Sequence, residues 1–247
     1  MRKLDIQCTE DGSATLFVEE LDEHYHSVKG ALTEAEHIYR DCAFRYSVAH
    51  AIRPVSDESQ GGGCLQDRID EPKGSCARLK VLEVGFGTGL NAVVTAMVAD
   101  VSCPVHYISL EKYPVESALL ARLGYEQIVD ASLFDAIHAA PWDVPVPITP
   151  HFTIEKRQCD FLTATLPPAV DVVYFDAFAP EKQPEMWTPE LFARLYRVMR
   201  PGGVLTTYCA EGAIRRMLQS TGFMVERLAG PVGGKREILR ATLLCGR

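Results

Sequence analysis

Hydrophobic and polar positions along the chain fall into three regimes. Up to about residue 20, two short runs, IQCT and ATLFV, flank Glu10-Asp11-Gly12-Ser13, a pattern that predicts a β-hairpin. Residues 31–51 place apolar side chains at helical spacing in helix-forming composition, which predicts a helix closed off by Pro54. The stretch from Ser56 to Cys76 is polar and glycine-rich, offers little apolar surface to bury, and predicts a flexible insertion. From Leu79 the rhythm becomes strand, turn, helix. LKVLEVG, VHYISLE, HFTIEKR, VDVVYF and GGVLTTYC read as strands, while GLNAVVTAMVAD, VESALLARLGY, PELFARLYRVMR and GAIRRMLQSTG read as helices. FMVERLA and REILRATLL follow with only a glycine-proline loop between them, so they are expected to pair antiparallel. The expectation is an α/β fold with a mostly parallel sheet and an antiparallel C-terminal hairpin. Its boundaries are an N-terminal hairpin and helix over 1–53, an insertion over 54–78 and a core over 79–247.

Composition adds few constraints to this picture. With 247 residues, 47% of them hydrophobic and 23% charged, the chain suits one large domain with a small appendage. No apolar run reaches the about 18 residues a membrane helix needs, and the acidic N-terminus lacks an apolar signal region. Eight cysteines are scattered without a CxxC pair, which argues against a zinc site or disulfide framework and for a reducing, cytoplasmic location; no metal is expected. Charge is uneven. Arg194–Arg247 holds ten Lys/Arg against three acids, +7, leaving 15 bases against 30 acids, −15, for the first 193 residues. Two readings of that asymmetry stay open, a polyanionic partner or solvated helix faces.

Candidate chemistry begins at the first strand–helix turn of the core, Glu83-Val84-Gly85-Phe86-Gly87-Thr88-Gly89-Leu90-Asn91. Glycines there let the backbone turn sharply and approach a ligand beside a helix N-terminus. A dinucleotide fingerprint needs Gly where Leu90 stands, and the acid precedes the loop instead of following it. Such a loop suits S-adenosylmethionine, whose cationic sulfonium and ammonium favour a nearby acid such as Glu83. Glu111, 22 residues after Gly89 with Lys112 beside it, is placed to take ribose hydroxyls. Asp160 is placed for an adenine amino group, with Phe161 against the ring. Helix capping is the alternative for either acid.

The fourth-strand motif runs Asp176-Ala177-Phe178-Ala179-Pro180-Glu181-Lys182-Gln183-Pro184-Glu185-Met186-Trp187-Thr188. Asp176 stands at a strand's carboxyl end, where open α/β sheets present ligands, and is the expected catalytic residue. Thr188-Pro189 reads as a helix start. Phe178 and Trp187 either sandwich a substrate base or belong to the core.

Together, EVGFGTGLN (83–91), DAFAPEKQPEMWT (176–188), RPGGVLTTYCAEGAIRRMLQSTGF (200–223) and GGKRE (233–237) resemble the methyltransferase domain of the tRNA 5-methylaminomethyl-2-thiouridine biosynthesis bifunctional family. Tyr25-His26-Ser27, Gly30 and Glu34/Glu36 are similar to that family's entry motif more loosely. The resemblance implies a class I, Rossmann-like fold with S-adenosyl-L-methionine as cofactor, held by Glu83, Gly85, Phe86, Gly87, Gly89, Asn91, Glu111, Lys112, Asp160, Phe161 and Asp176. The implied reaction is N-methylation of a 5-aminomethyl group on the wobble uridine of tRNA, with Tyr25, Ser27, Phe178, Trp187, Lys235 and Arg236 toward the substrate. The family's second, FAD-dependent oxidoreductase domain is not seen before Arg247, so the expectation is methylation alone, with the aminomethyl precursor supplied by a separate oxidoreductase or other upstream enzyme. Alkyl transfer to a small-molecule amine and a non-catalytic nucleotide-binding module are the competing readings.

Overall fold

In the computed structural model, residues 3–50 and 78–244 are described; the expected insertion, Ser56 to Cys76, and Pro54 lie outside them. The N-terminal hairpin forms as expected, with β1 (Leu4–Cys8) antiparallel to β2 (Ala14–Val18), and a two-residue β3 (Glu23–His24) adds to its edge. The helix beyond it starts as α1 (Ala31–Glu34) and ends as α2 (Tyr46–His50). Between them, Ala35–Arg45 is π-helical, a widened turn with i→i+5 bonding that is frequent near functional sites.

The core sheet collects β4 (Leu79–Val84), β5 (Val105–Glu111), β6 (Pro145–Thr149), β7 (Phe152–Gln158), β8 (Val170–Phe175), β9 (Met199–Thr207), β10 (Met224–Ala229) and β11 (Glu237–Thr242). Their spatial order is β10-β11-β9-β8-β4-β5-β7-β6. The five inner strands from β9 to β7 run parallel, β10 and β11 pair antiparallel as the helix-free loop required, and β6 adds a second antiparallel edge. The helices are α3 (Leu90–Ala96), α4 (Ser117–Leu120), α5 (Ala131–Ala139), α6 (Pro189–Val198) and α7 (Gly212–Thr221). α3 is buried all round, as an apolar helix must be, whereas α6 and α7 bury one stripe only. Thr188 caps α6, its Oγ1 accepting from Leu191 N–H at 3.4 Å, with Pro189 in the first turn. α4 is much shorter than VESALLARLGY suggested, and α5 and β6 had no counterpart in the sequence reading.

Because strand side chains alternate between faces, β4 sends Val81 to one hydrophobic cluster and Leu82 and Val84 to the other. The first cluster also takes Leu16, Ile38, Tyr39 and Phe44, so the N-terminal segment shares its core with the sheet. That sharing carries β3, α1 and the π-helical stretch to the carboxyl ends of β4 and β8, where the cavity opens.

Candidate active site

Gly85 and Gly87 shape the floor of the cavity. Both have positive φ, +94° and +53°, which favours glycine. A Cβ on Gly85 would meet Asp176 O at 2.7 Å, and one on Gly87 would meet the Tyr25 ring at 2.8 Å. The glycines are therefore needed for close approach of the protein to itself, a cause the sequence reading had assigned to the ligand. The Gly85 N–H donates to Leu110 O at 2.9 Å and the Asp176 N–H to Val84 O at 3.2 Å, which locks the loop between two strand ends.

The cavity above this floor has a volume of about 370 Å³, within the range of ligand sites. One half is lined by Gly85, Phe86, Gly87, Glu111, Lys112, Asp160 and Phe161. Glu111 is anchored by Gly87 N–H at 3.1 Å and Tyr113 N–H at 2.7 Å, and carboxylate oxygens hold further lone pairs for sugar hydroxyls. Asp160 accepts from Lys112 Nζ at 2.8 Å and Leu162 N–H at 2.9 Å, which holds its carboxyl below the usual range. Two acids and a phenyl ring in one concave wall, with the Lys112 ammonium already paired to Asp160, fit an adenosyl group better than a pyrophosphate.

The other half holds Asp176, Glu34, Glu23, Tyr25, Ser27, Phe178, Tyr208 and Lys235. Asp176 Oδ1 accepts from Tyr39 OH at 2.7 Å and Oδ2 from Asn91 Nδ2 at 2.8 Å. Burial raises the Asp176 carboxyl to about 6, against the pull of these two bonds and of Lys235. Glu34, 4% exposed, is pushed up to about 8 by burial and then by the charge of Asp176. The Tyr208 OH donates to Ala177 O at 2.8 Å, and Lys235 Nζ lies 3.9 Å from the centre of the Tyr208 ring. Tyr25 and Phe178 meet edge-to-face with centroids 5.3 Å apart, forming an aromatic lip.

Five expected site residues stand elsewhere. Glu83 does not face the cavity; it shares the Val81 face of β4, is fully buried, accepts from Asn91 Nδ2 at 3.0 Å and Ser109 Oγ at 2.6 Å, and burial raises it to about 8. Asn91 is likewise buried, and its one amide nitrogen bridges Glu83 and Asp176. Gly89 serves packing, since a Cβ there would strike Phe86 and His138 within 2.9 Å. Trp187 belongs to the core, its indole N–H donating to Phe178 O at 2.7 Å. Arg236 is exposed and off the lining, next to Lys235, which is on it. Conversely, Tyr39, Tyr208, Glu23 and the wall position of Glu34 were not anticipated as site features. Tyr39 looked like one more apolar position of a helix, and only a π-helical turn brings it to Asp176.

Residues 157–244 match a family described as S-adenosyl-L-methionine-dependent methyltransferase, and the fold and the cavity fit that class. The chain is 31% identical over 237 residues to the tRNA 5-methylaminomethyl-2-thiouridine biosynthesis bifunctional protein MnmC of Ralstonia nicotianae, covering 91% of this chain and 32% of that protein. It corresponds to the methyltransferase portion of that bifunctional family, and spans about a third of the length of the curated relatives it matches. Among solved structures, MnmC2 from Aquifex aeolicus superposes with a TM-score of 0.68 at 21% identity, over 100% of this chain and 72% of that one. Spermidine synthase from Thermotoga maritima follows the same fold, with a TM-score of 0.58 at 13% identity, over 100% of this chain and 70% of that one.

Proposed function

We propose that this protein methylates the primary amine of a 5-aminomethyl group on the wobble uridine, position 34, of tRNA, giving 5-methylaminomethyl- or 5-methylaminomethyl-2-thiouridine. The observation that carries the reading is Asp176 at the end of β8, held by Tyr39 and Asn91 and open to the cavity beside the adenosyl-compatible wall. The similarity to MnmC supports the choice of acceptor. Bound S-adenosylmethionine supplies a methyl group on cationic sulfur, and transfer forms a C–N bond while the C–S bond breaks with its electron pair left on sulfur.

The chain's own task is to make and aim a neutral amine. An alkylammonium near the lysine reference of about 10.4 costs about 5 kcal/mol to neutralise at pH 7. Asp176, ionised above about 6, accepts that proton, leaving the nitrogen lone pair for the methyl carbon. Holding the amine in line is the larger contribution, since effective molarity can supply about 7–11 kcal/mol. The Tyr25–Phe178 lip is the proposed contact for the extruded uracil, with Ser27 behind it, and Lys235 with Arg236 the proposed contact for phosphates. The amine acceptor requires an upstream reaction, for which an FAD-dependent oxidoreductase is the proposed source, and the reading places the protein in the cytoplasm with its tRNA.

Incubation with labelled S-adenosylmethionine and tRNA carrying unmethylated 5-aminomethyluridine, followed by nucleoside mass analysis, tests the proposal. One added methyl on that nucleoside is expected. Label on a free alkylamine but not on tRNA selects small-molecule alkyl transfer, for which the acidic wall of Glu23, Glu34 and Asp176 is suited. Label on neither substrate overturns both.

A further inference from the structure

We propose that Glu34 is a positioning residue for the acceptor amine: a second carboxyl on the cavity wall beside Asp176 that receives the amine as a hydrogen-bond acceptor without adding its own negative charge there. The inference rests on the proposed amine acceptor and names what else grips it. Glu34 ends α1 and enters the π-helical stretch; its side chain is enclosed by protein yet lines the cavity together with Asp176. The Ser27 backbone lies toward its carboxyl and favours the charged form, an effect that burial and the charge of Asp176 outweigh. The same helical segment carries Tyr39, which lies in the core behind the lining and donates to Asp176 Oδ1.

The groups facing Glu34 come from every element around it: Asp176 after β8, Tyr208 after β9, Glu23 of β3, Lys235 between β10 and β11, and Tyr39 on its own helix. Only Lys235 is cationic, and it also acts on Asp176. Two carboxyls in one enclosed site do not both ionise readily. Asp176, raised to about 6, takes the charge near pH 7, and Glu34, raised to about 8, keeps its proton. A protonated carboxyl still offers a carbonyl oxygen as acceptor. Glu34 therefore accepts one amine N–H while Asp176 accepts another, which orients the lone pair without adding a further anion to stabilise the unreactive ammonium. In the transfer itself Glu34 neither gains nor loses a proton; the ammonium proton goes to the Asp176 carboxylate.

Glu34→Gln and Glu34→Ala are compared with wild type by steady-state methylation of 5-aminomethyluridine tRNA from pH 6 to 9, with S-adenosylmethionine affinity measured by calorimetry. At pH 7 kcat is expected to fall two- to fivefold in the Gln variant, which keeps a neutral carbonyl there, and at least thirtyfold in the Ala variant. The ratio of Glu34→Gln to wild-type kcat should rise at least fivefold between pH 7 and 9, as wild-type Glu34 ionises and Gln does not. Cofactor affinity should stay within twofold in both. A flat ratio in an active wild type, or equal losses for Gln and Ala at pH 7, overturns the role of Glu34 alone. No methyl transfer to this tRNA by the wild type overturns the acceptor assignment and this role with it. Because the pH ratio is read from the near-isosteric Gln variant, misfolding of the Ala variant leaves the test intact.

Discussion

Three elements meet at Asp176: the end of β8, the tyrosine from the π-helical stretch and the amide that ties it to Glu83. Asp176→Asn keeps shape and one acceptor but loses the base, so turnover should fall by about a hundredfold or more. Cofactor affinity by calorimetry should change little. Wild-type kcat/KM should climb as pH rises through about 6, since the working form is the ionised one, and this limb should be missing in the Asn variant. That Asp176 lines the cavity was legible from its place at a strand end. Glu83 was not assignable in the same way. Central parallel strands are apolar on both faces, so β4 shows no alternation to reveal which way Glu83 points. The two aromatics of the fourth-strand motif separate for a similar reason. A short turn at Pro184–Met186 folds Trp187 back into the core and leaves Phe178 at the lip, and sequence spacing does not encode that reversal.

At the scale of elements, the N-terminal sheet is fastened to the glycine loop by a buried bond, His26 Nε2 to Thr88 Oγ1 at 2.7 Å. Burial lowers the imidazole to about 4, so it is neutral at pH 7; the stability it contributes is present above the unfolded value of about 6.5 and is lost as pH falls through 4. His26→Ala and Thr88→Val should each cost about 1–3 kcal/mol in denaturant unfolding, and the double variant less than their sum. A fully additive pair would mean that the bond does not hold sheet to loop. The hairpin, the five parallel strands and the closing antiparallel pair were all readable from apolar runs and turn residues. β6 escaped because Pro145 and Pro147 speak against a strand, and it is tolerated only as an edge that pairs on one side. No residue pattern marks a π-helical stretch, so the helix over 31–51 was anticipated without its widened middle.

Across the whole molecule, the base-rich C-terminal residues gather at one end of the sheet, but much of that charge serves structure. Arg240 pairs with Glu226 at 3.1 Å and lies over Tyr46, Arg227 pairs with Glu237 at 3.6 Å, and Arg194 donates to the carbonyls of Phe161, Leu162 and Ala164. Lys235 at the cavity and exposed Arg236 are better placed for phosphates, against a net charge of −8. A Lys235→Ala/Arg236→Ala variant should bind tRNA more weakly, and its plot of log affinity against log salt should be shallower by about 1–2, one unit or slightly less per lost phosphate contact. An unchanged slope would move the tRNA surface elsewhere. The same economy governs how the chain tolerates changes in length. Tyr39 follows Glu34 by five positions; in an α-helix they would diverge by about 140° around the axis, whereas at about 4.4 residues per turn they diverge by about 50°. That angular phase lets Glu34 line the cavity while Tyr39, buried behind it, reaches Asp176. Deleting a single residue between them would swing one away by about a quarter turn, so this helix, though it lies outside the methyltransferase sheet, has its length dictated by the chemistry at the end of β8.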